Sequence, residues 1–330
     1  MPYEPPLSVG ETRGLFEAIV GGTLPADEIR TFLTTLARRG ETAEEIAVGV
    51  EVLRAHAQRL PLARADGLCD TCGTGGDGQD TINISTLAAL VAAAAGARIA
   101  KHGNRAASSR CGSADLLEAL GVSLAASPAQ VARCIEETGF GFCFAPAFHP
   151  AMKAVAPIRK ALKIRTIFNL IGPLANPAPL TFQLVGVSDA RLLRPMADTL
   201  IRLGIRHGMV VHGADGLDEV TTTGPTTVLD VREGRIAERR LDPESLGVPR
   251  ASLDALRGGD VEAHVRIAQE VLAGRPSPAR DIILVNAGCA LYVADRASTI
   301  LDGIAQARAA LEAGRAPPLL ERVKELSHAG

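Results

Sequence analysis

The chain has 330 residues, of which 47% are hydrophobic, and its formal net charge is −2 at pH 7. This length and composition predict one large domain or two smaller ones with a substantial hydrophobic core. The balanced charge and the few aromatic residues (no Trp, two Tyr and eight Phe) argue against general binding to nucleic acid or anionic membranes, and no apolar run is long enough to span a bilayer.

The first 17 residues lack the charged and apolar regions of a signal peptide. The six cysteines lie in apolar or tight-turn contexts, as is typical of reduced thiols. We therefore expect a cytoplasmic protein.

The first 60 residues predict three helices and no strand. Apolar residues at helical spacing run from Ser8 to Val20, and a second apolar stripe begins after Pro25 and stops at Gly40. Thr42 and Glu45 form a capping box for the third helix. These helices predict a small bundle or the face of an oligomer.

A glycine-rich stretch, GTGGDG at Gly73 to Gly78, follows a short apolar run that is typical of a strand. Asn83, Ser85 and Thr86 then lead into an Ala/Leu/Val-rich run that predicts a buried helix. Glycines let backbone N–H groups approach a ligand, and helix N-termini present unpaired donors with partial positive charge. This unit therefore predicts an anion site, and phosphate is the anion that it favours.

The next unit has the same arrangement. The run from Ala97 to Ala100 predicts a second strand, and residues 114–120 predict a second helix. No Asp or Glu occurs from Thr81 to Ala114, which makes this region locally positive. The polar and small residues between this strand and this helix include Lys101, His102, Asn104, Arg105, Ser108, Ser109, Gly112 and Ser113.

The glycine stretch also matches the Gly-x-Gly-x-x-Gly fingerprint of dinucleotide-binding folds. That fingerprint needs an acidic residue about 20 residues further on. The corresponding position lies around Arg98, where the sequence has no acid, and the predicted helix begins after the glycines rather than within them. A nicotinamide-dependent dehydrogenase is therefore disfavoured.

Cys69 and Cys72 form a Cys-x-x-Cys pair beside the glycine stretch. A zinc site needs two further ligands at a suitable spacing, and the sequence has no second pair. A redox motif needs the pair at a helix N-terminus. We interpret both residues as buried, unreactive thiols.

From residue 67 onward, predicted strands alternate with helices, up to a mostly helical stretch that begins at Asp260. Thr226–Arg232 and Arg235–Leu241 form a predicted hairpin, and one helical segment is predicted from His149 to Leu162. This alternation predicts an α/β fold: a small all-helical domain plus a larger α/β domain with a mostly parallel central sheet flanked by helices. The other predicted strands are residues 140–145, 181–187 and 208–212, and the other predicted helices are residues 127–138 and 191–203.

Asp218 and Glu219 are adjacent carboxylates in the sequence HGADGLDEV, just after a predicted strand. Such a pair either lies in a solvated loop or shares magnesium with a phosphate substrate, because Mg²⁺ favours few carboxylates plus phosphate oxygens. The phosphate site predicted upstream favours the magnesium site.

Three further side chains stand out near the middle of the chain. His149 precedes a proline, where a histidine is more often a cap than a catalyst. Arg159 and Arg165 lie in apolar surroundings. An arginine there needs a partner, and a substrate carboxylate is one option.

Seven motifs occur together in this sequence. They are GTGGDG, NIST (Asn83–Thr86), KHGNR (Lys101–Arg105), SSRCGSAD (Ser108–Asp115), HPAMK (His149–Lys153), IRTIFNLIGPLANP (Ile164–Pro177) and GLDEV (Gly216–Val220). Together they resemble the anthranilate phosphoribosyltransferase family over nearly the whole chain. Two mild departures, Ile82 where an aromatic is common and His264 where Asn is common, lie outside these motifs.

The resemblance implies transfer of the phosphoribosyl group from 5-phosphoribosyl 1-pyrophosphate (PRPP) to the amino group of anthranilate, in tryptophan biosynthesis. It implies a helical domain of residues 1–66 with 149–177, for dimerisation and the anthranilate side. It also implies an α/β domain of residues 67–148 with 178–330, for PRPP and magnesium. Two Mg²⁺ ions per active site, a homodimer, and no nucleic-acid or membrane partner are expected.

The resemblance further implies the residues of the site, none with an acid or base role. For PRPP they are Gly73, Gly76, Asp77, Thr81, Asn83, Ser85, Thr86, Lys101, Asn104 and Ser113. For anthranilate they are Gly73, His102, Asn104, His149, Arg159, Gly172 and Pro173. For magnesium they are Ser85, Asp218 and Glu219.

The expected chemistry needs no nucleophile–base pair. Pyrophosphate is a good leaving group once Mg²⁺ and N–H dipoles neutralise it, and the aromatic amine is unprotonated at pH 7. Positioning and electrostatics then carry catalysis, and closure of the two domains excludes water. A pyrimidine nucleoside phosphorylase-like enzyme of the same fold family and a non-catalytic homologue that binds nucleic acid both stay open. The Asp218–Glu219 pair favours the transferase over both, and the negative net charge argues against the second.

Overall fold

The computed structural model of the chain describes residues 3–106 and 110–329. Ser108 and Ser109, which precede the second predicted helix, lie outside the described residues. Within the described ranges, none of the helices has the length and apolar character that crossing a membrane requires.

Three helices form the N-terminal part, as predicted. They are α1 (Val9–Val20), α2 (Ala26–Arg39) and α3 (Ala43–Ala55). Ser8 with Glu11 and Thr42 with Glu45 form capping boxes, which pair the first free backbone donors of α1 and α3. Gly40 ends α2 with a φ of 88°, a conformation that favours glycine.

A seven-stranded sheet forms the centre of the molecule. Its strands are β1 (Leu68–Gly73), β2 (Arg98–Gly103), β3 (Phe140–Phe144), β4 (Phe182–Gly186), β5 (His207–Gly213), β6 (Thr226–Arg232) and β7 (Arg235–Leu241). The strand order is β3-β2-β1-β4-β5-β6-β7. The five strands from β3 to β5 are parallel, and the hairpin β6–β7 extends the sheet in antiparallel fashion. The predicted mostly parallel sheet is therefore confirmed.

The other helices connect and cover the strands. They are α4 (Ile84–Ala94), α5 (Ser113–Ala119), α6 (Pro128–Thr138), α7 (Ala145–Phe148), α8 (Ala156–Leu162), α9 (Ile167–Leu174), α10 (Leu193–Arg202), α11 (Val261–Leu272), α12 (Pro278–Val293), α13 (Ile300–Glu312) and α14 (Ala316–His328). Helix α4 is apolar on nearly all sides because it is buried between the sheet and α12.

Successive residues of a strand pack on opposite faces of this sheet. Leu184 and Met209 belong to the core formed with α4 and α12. Val185 and Val210 belong to the core formed with α3, α9 and α10. Both faces of the sheet are thus covered, as a parallel sheet requires.

The segment predicted as one helix from His149 to Leu162 is divided, so that prediction is wrong. A 3₁₀-helix covers Pro150–Ala154, and α8 begins afresh at Ala156. Pro157 is the reason: it has no N–H to donate and is tolerated only in the first turn of a helix.

Helix α9, which follows the divided segment, packs against the N-terminal helices. The ring of Phe16 in α1 lies 5.7 Å from the ring of Phe32 in α2 and 5.9 Å from the ring of Phe168 in α9, both edge-to-face. Helix α9 thereby shares a core with helices that precede it by more than a hundred residues. The predicted domain boundaries themselves stay a prediction.

Candidate active site

A cleft of about 470 Å³ opens at the carboxyl ends of β1 and β2. Open parallel sheets place their ligand sites at this edge. The lining comes from the glycine stretch after β1, the N-terminus of α4, the end of β2, the N-terminus of α5, helices α8 and α9, and Asp218 with Glu219. The two predicted strand–loop–helix units therefore meet in one cavity.

The glycine stretch is shaped by its contact with Asp218. A Cβ at Gly73 would lie 2.2 Å from Asp218 Oδ2, so no larger residue fits there. Gly75, Gly76 and Gly78 have φ values of 65°, 76° and 69°, which favour glycine. The N–H of Gly75 donates to Asp218 Oδ2 at 2.7 Å. The glycines thus bring the backbone against a carboxylate that lines the cleft.

Asp218 and Glu219 are an acidic pair that is partly withdrawn from solvent. Burial raises the pKa of Asp218 to about 6, and the nearby charge of Asp77 adds to this effect. Burial and the charge of Asp218 raise the pKa of Glu219 well above its ordinary value. Glu219 Oε1 accepts from the backbone N–H of Ser85 at 3.1 Å. A cation between these oxygens would favour their ionised forms, and hard oxygen donors suit a divalent ion such as Mg²⁺.

Few carboxylates are available for such an ion. Within residues 3–106 and 110–329, no group of three or more His, Cys, Asp or Glu side chains could hold a metal. A cation at Asp218 and Glu219 must therefore take further ligands from a hydroxyl such as that of Ser85, from a substrate or from water, as Mg²⁺ does in phosphate sites.

Asn286 holds the backbone next to the acidic pair. Its side chain accepts from the N–H of Val220 at 3.0 Å and donates to the C=O of Val220 at 2.8 Å. No sequence motif points to this residue. Its signal is a single amide within the apolar run of α12, because a buried amide must be paired.

Lys101 lines the cleft floor and is only 2% exposed. Its Nζ donates to the backbone oxygen of Thr71 at 2.5 Å and lies 3.4 Å from Ser85 Oγ. Burial raises the pKa of its neighbour Asp70 to about 6, while the charge of Lys101 opposes that shift. Lys101 therefore supplies buried positive charge below the anion-binding region.

The remaining residues predicted for PRPP also line this cavity. Thr86 has a buried hydroxyl without a hydrogen-bond partner in the described part of the chain. Asn83 donates from Nδ2 to the C=O of Cys111 at 3.1 Å and faces His264 Nδ1 at 3.0 Å. The other members of this set in the lining are Gly76, Asp77, Thr81, Ser85, Asn104 and Ser113.

Hydrogen bonds to Asp115 hold the chain in place both just after β2 and just before α5. Asp115 Oδ2 accepts from the N–H groups of Ala106 and Gly112, both at 2.9 Å. Arg105 donates to Asp115 at 2.9 Å and makes two further hydrogen bonds to Glu118. These contacts fix the positions of Asn104 and of the N-terminus of α5.

The opposite wall is more apolar and carries one cation. Arg159 lies over the ring of Phe168, with its guanidinium carbon 5.4 Å from the ring centre. It has no ion pair within residues 3–106 and 110–329, whereas Arg165 pairs with Glu41 at 3.2 Å. Gly172 and Pro173 of α9 complete this wall. An arginine without an acid suits the carboxylate of a ligand.

Two histidines adjoin this wall. His102 lines the cleft, and burial lowers its pKa to about 3, so its ring is neutral. His149 does not line the cleft: its ring lies behind His102, with the ring centres 5.3 Å apart. In the described residues, Nε2 of each ring is buried without a partner.

Cys69 and Cys72 are buried, as predicted, and point to opposite faces of the sheet. Cys69 packs in the core with α4, whereas the Cys72 thiol donates to the C=O of Pro173 at 3.3 Å. Burial raises the pKa of both thiols. Two side chains on opposite faces of one strand cannot bind the same ion.

Two family models place the chain in a class of enzymes. Residues 4–57 match the model described as "Glycosyl transferase family, helical bundle domain", and residues 65–317 match "Glycosyl transferase family, a/b domain". The fold and the cleft are thus those of a glycosyl transferase with a helical part and an α/β part.

Individual relatives narrow this class. The chain is 49% identical over 326 residues to an anthranilate phosphoribosyltransferase of Thermomicrobium roseum, covering 98% of this chain and 94% of that protein. It is 50% identical over 323 residues to that of Rubrobacter xylanophilus, with the same coverage. The chain belongs to the anthranilate phosphoribosyltransferase family, which confirms the predicted family.

Solved structures agree with this assignment. The anthranilate phosphoribosyltransferase of Thermus thermophilus superposes with a TM-score of 0.93 at 45% identity, covering 98% of this chain and 96% of that one. The Saccharomyces cerevisiae enzyme in complex with PRPP and Mg superposes with a TM-score of 0.90 at 29% identity, covering 99% and 95%. The predicted fold class is confirmed, and these relatives favour neither a dehydrogenase, nor a nucleoside phosphorylase, nor a nucleic-acid-binding homologue.

Proposed function

We propose that this chain transfers the phosphoribosyl group of PRPP to the amino group of anthranilate, giving N-(5-phosphoribosyl)anthranilate and pyrophosphate for L-tryptophan biosynthesis. One observation carries the proposal: a single cleft joins an anion-binding wall of glycines and buried charges to an apolar wall with one cation. Two structures of the yeast relative support both halves, since one is in complex with PRPP and Mg and the other with 4-fluoroanthranilate.

PRPP is assigned to the first wall. Its phosphate oxygens accept hydrogen bonds, so they suit the backbone donors of the glycine stretch and the N-termini of α4 and α5. The buried charge of Lys101 adds to this field. The residues proposed for PRPP are Gly73, Gly76, Asp77, Thr81, Asn83, Ser85, Thr86, Lys101, Asn104 and Ser113.

Ser85, Asp218 and Glu219 are the proposed magnesium ligands, with two Mg²⁺ ions per active site. The donor set fits this ion because all its atoms are oxygens and because both acids are partly withdrawn from solvent, which raises their pKa values. When bound, Mg²⁺ neutralises charge on the leaving pyrophosphate. Asn286 keeps the Asp218–Glu219 backbone in place through Val220.

Anthranilate is assigned to the second wall. Arg159 pairs with its carboxylate, and Gly172 and Pro173 contact the ring. Neutral His102 offers a polar edge without a competing charge. Gly73 and Asn104 complete the proposed set, and His149 acts on this site only through His102 because the two rings are in contact.

The residues act by binding and orienting the reactants. The amine of anthranilate is unprotonated at neutral pH, so no side chain has to remove a proton before it attacks C1′ of the ribose. The glycine stretch and α4 bind the departing pyrophosphate. Arg159 binds the carboxylate of anthranilate and thereby orients its amine toward C1′. Water must be excluded, since it would hydrolyse the activated ribosyl group, and closure of two domains provides this.

Domain organisation and assembly belong to the same proposal. The helical domain comprises residues 1–66 with 149–177, and the α/β domain comprises residues 67–148 with 178–330. The edge-to-face contacts among Phe16, Phe32 and Phe168 support this grouping. A homodimer through the helical domain and a cytoplasmic location stay predictions.

The decisive test is an assay of the purified chain with PRPP, Mg²⁺ and anthranilate, in which anthranilate fluorescence is followed. We expect its loss to require all three components and to release one pyrophosphate per anthranilate consumed. Without any loss of anthranilate, phosphorolysis of a pyrimidine nucleoside would identify a phosphorylase instead, and nucleic acid retained through purification would identify a nucleic-acid-binding homologue.

A further inference from the structure

Asn83 lines the cleft and has two partners on its buried side. Its Nδ2 lies 3.1 Å from the C=O of Cys111 and 3.0 Å from Nδ1 of His264. His264 lies on α11, outside the cleft, and is 4% exposed. We propose that His264 is a positioning residue that fixes the amide of Asn83, so that Asn83 offers the substrate only its carbonyl oxygen.

The orientation of the amide follows from the carbonyl of Cys111. A backbone oxygen only accepts, so the atom of Asn83 that faces it is Nδ2 and not Oδ1. The same Nδ2 faces His264 Nδ1. Nδ1 must therefore accept, which places the proton of the imidazole on Nε2.

The surroundings of His264 hold its ring in this state. Burial lowers the pKa of His264, and although the charges of Asp260 and Asp80 oppose that shift, the neutral ring prevails. A Cβ at Gly258 would lie 2.0 Å from Nε2, so the absence of a side chain at Gly258 makes room for the ring. The N–H of Gly258 donates to the C=O of Asp80 at 2.9 Å. This hydrogen bond joins the backbone at Gly258 to the chain just before Asn83.

The consequence concerns what Asn83 recognises. Both of its amide hydrogens are used, by Cys111 and by His264. The remaining oxygen accepts but cannot donate, so it repels the phosphate oxygens of PRPP and suits a hydrogen-bond donor. The ribose hydroxyls of PRPP are such donors. This inference rests on the proposed function and assigns Asn83 to the ribose rather than to the pyrophosphate.

The first test needs no substrate. Long-range ¹H–¹⁵N spectra of the full chain at pH 7.5 report which nitrogen of each imidazole carries the proton. We expect His264 to be neutral, with its proton on Nε2 and an unprotonated Nδ1. A proton on Nδ1 overturns the inference, whether or not the chain transfers a phosphoribosyl group.

The second test compares two substitutions of His264. Leucine removes the acceptor, whereas asparagine keeps an oxygen about as far from Cα as Nδ1. His264→Leu should raise the KM for PRPP about 3- to 10-fold, the effect of one neutral hydrogen bond, and leave the KM for anthranilate within about twofold. His264→Asn should recover most of this loss. Equal losses in the two variants, or a parallel rise in both KM values, overturn the inference.

Two further measurements test whether His264 acts through Asn83 and which part of PRPP is affected. In an Asn83→Ala background, His264→Leu should add less than about twofold, because its effect runs through Asn83. Calorimetric titration should show that His264→Leu weakens PRPP but not pyrophosphate, each with Mg²⁺. A full effect in the Asn83→Ala background, or equal weakening of pyrophosphate, contradicts the inference. A wild-type chain that binds PRPP but leaves anthranilate untouched contradicts the proposed function alone.

Discussion

Two clusters of polar side chains in this molecule, each with buried members, contain similar residues and differ in how they are paired. The hairpin cluster, between β5, β6 and α12, consists of His207, Asp230, Arg239, Tyr292 and Asp295. Asp230 accepts from His207 Nε2 at 3.1 Å and from the Tyr292 hydroxyl at 2.9 Å, and Arg239 lies 3.0 Å away. Burial alone would raise the pKa of Asp230, but these partners outweigh it and lower the pKa.

The cleft cluster consists of Lys101, His102, His149, Asp218 and Glu219. Here burial prevails: the pKa of each acid is raised and that of each histidine is lowered. Nε2 of both histidines is unpaired within the described residues. Buried charged groups that have partners hold the surrounding structure in place. Buried polar groups that lack partners can form those interactions with a ligand instead. The comparison therefore separates a stabilising cluster from a binding cluster.

The largest expected effect is on the acids of the cleft cluster. Asp218→Asn with Glu219→Gln should lower kcat/KM at least about 100-fold, because two charged interactions with the cation are lost. The same variant should melt no lower than the wild type at pH 7.5, because its neutral amides avoid the cost of burying charge. Initial rates across a Mg²⁺ titration and a melting curve measure both effects. Glu238→Gln on exposed β7 is the control, and an unchanged Mg²⁺ titration would remove the pair from the site.

Arg159 is expected to produce the next largest effect, and on one substrate only. Loss of a hydrogen bond to a charged group costs about 1.5–3 kcal/mol, or about 10- to 150-fold in binding. Arg159→Ala should raise the KM for anthranilate by that range and keep the KM for PRPP within about threefold. Lys160→Ala, the neighbouring exposed cation on α8, should change neither. Equal effects on both substrates would end the assignment to the carboxylate.

The hairpin cluster should respond in the opposite way. Tyr292→Phe removes one buried hydrogen bond to Asp230, so the free energy of unfolding should fall by about 0.5–1.5 kcal/mol with both KM values unchanged. Urea unfolding and steady-state kinetics test this. Tyr3→Phe is the matched control, since the Tyr3 hydroxyl has no hydrogen bond in the part of the chain that the structure describes. A changed KM in Tyr292→Phe would contradict the separation of the clusters.

The smallest expected signal comes from His102. Because burial lowers its pKa to about 3, its imidazole resonances should not move between pH 8 and pH 5. The unfolded chain takes up this proton below about pH 6.5, whereas the folded chain does not, so this residue costs stability as the pH falls from about 6.5 toward 3. A midpoint near 6.5 in an NMR titration would show that the ring is hydrated and not reserved for a ligand.

The local elements were largely predictable from sequence. The hairpin Thr226–Arg232 with Arg235–Leu241 has the predicted bounds, and the capping box at Thr42 begins α3 as expected. These features depend on neighbours in sequence, which single-sequence patterns report well. The continuous helix after His149 was predicted wrongly because apolar spacing outweighed Pro157, whose backbone chemistry divides the segment.

The long-range contacts of the site were not predictable. His264 lies 181 residues from Asn83, and Asn286 lies 66 residues from Val220. Neither belongs to a motif, and in the sequence His264 stands out only as a mild departure from the family pattern. Side chains that support a site from another element leave no local pattern, so only the fold reveals them.

The outer strand β7 also bears on how the protein behaves at high concentration. Among the described residues it pairs with β6 on one side only, which leaves a row of backbone donors and acceptors open at the end of the sheet. Arg235, Glu238, Arg239 and Arg240 are exposed along this strand. An approaching strand of another molecule would have to bury these charges, which discourages edge-to-edge aggregation. The net charge of −2 gives little repulsion between molecules, so the charged residues of this strand help to keep the protein in solution.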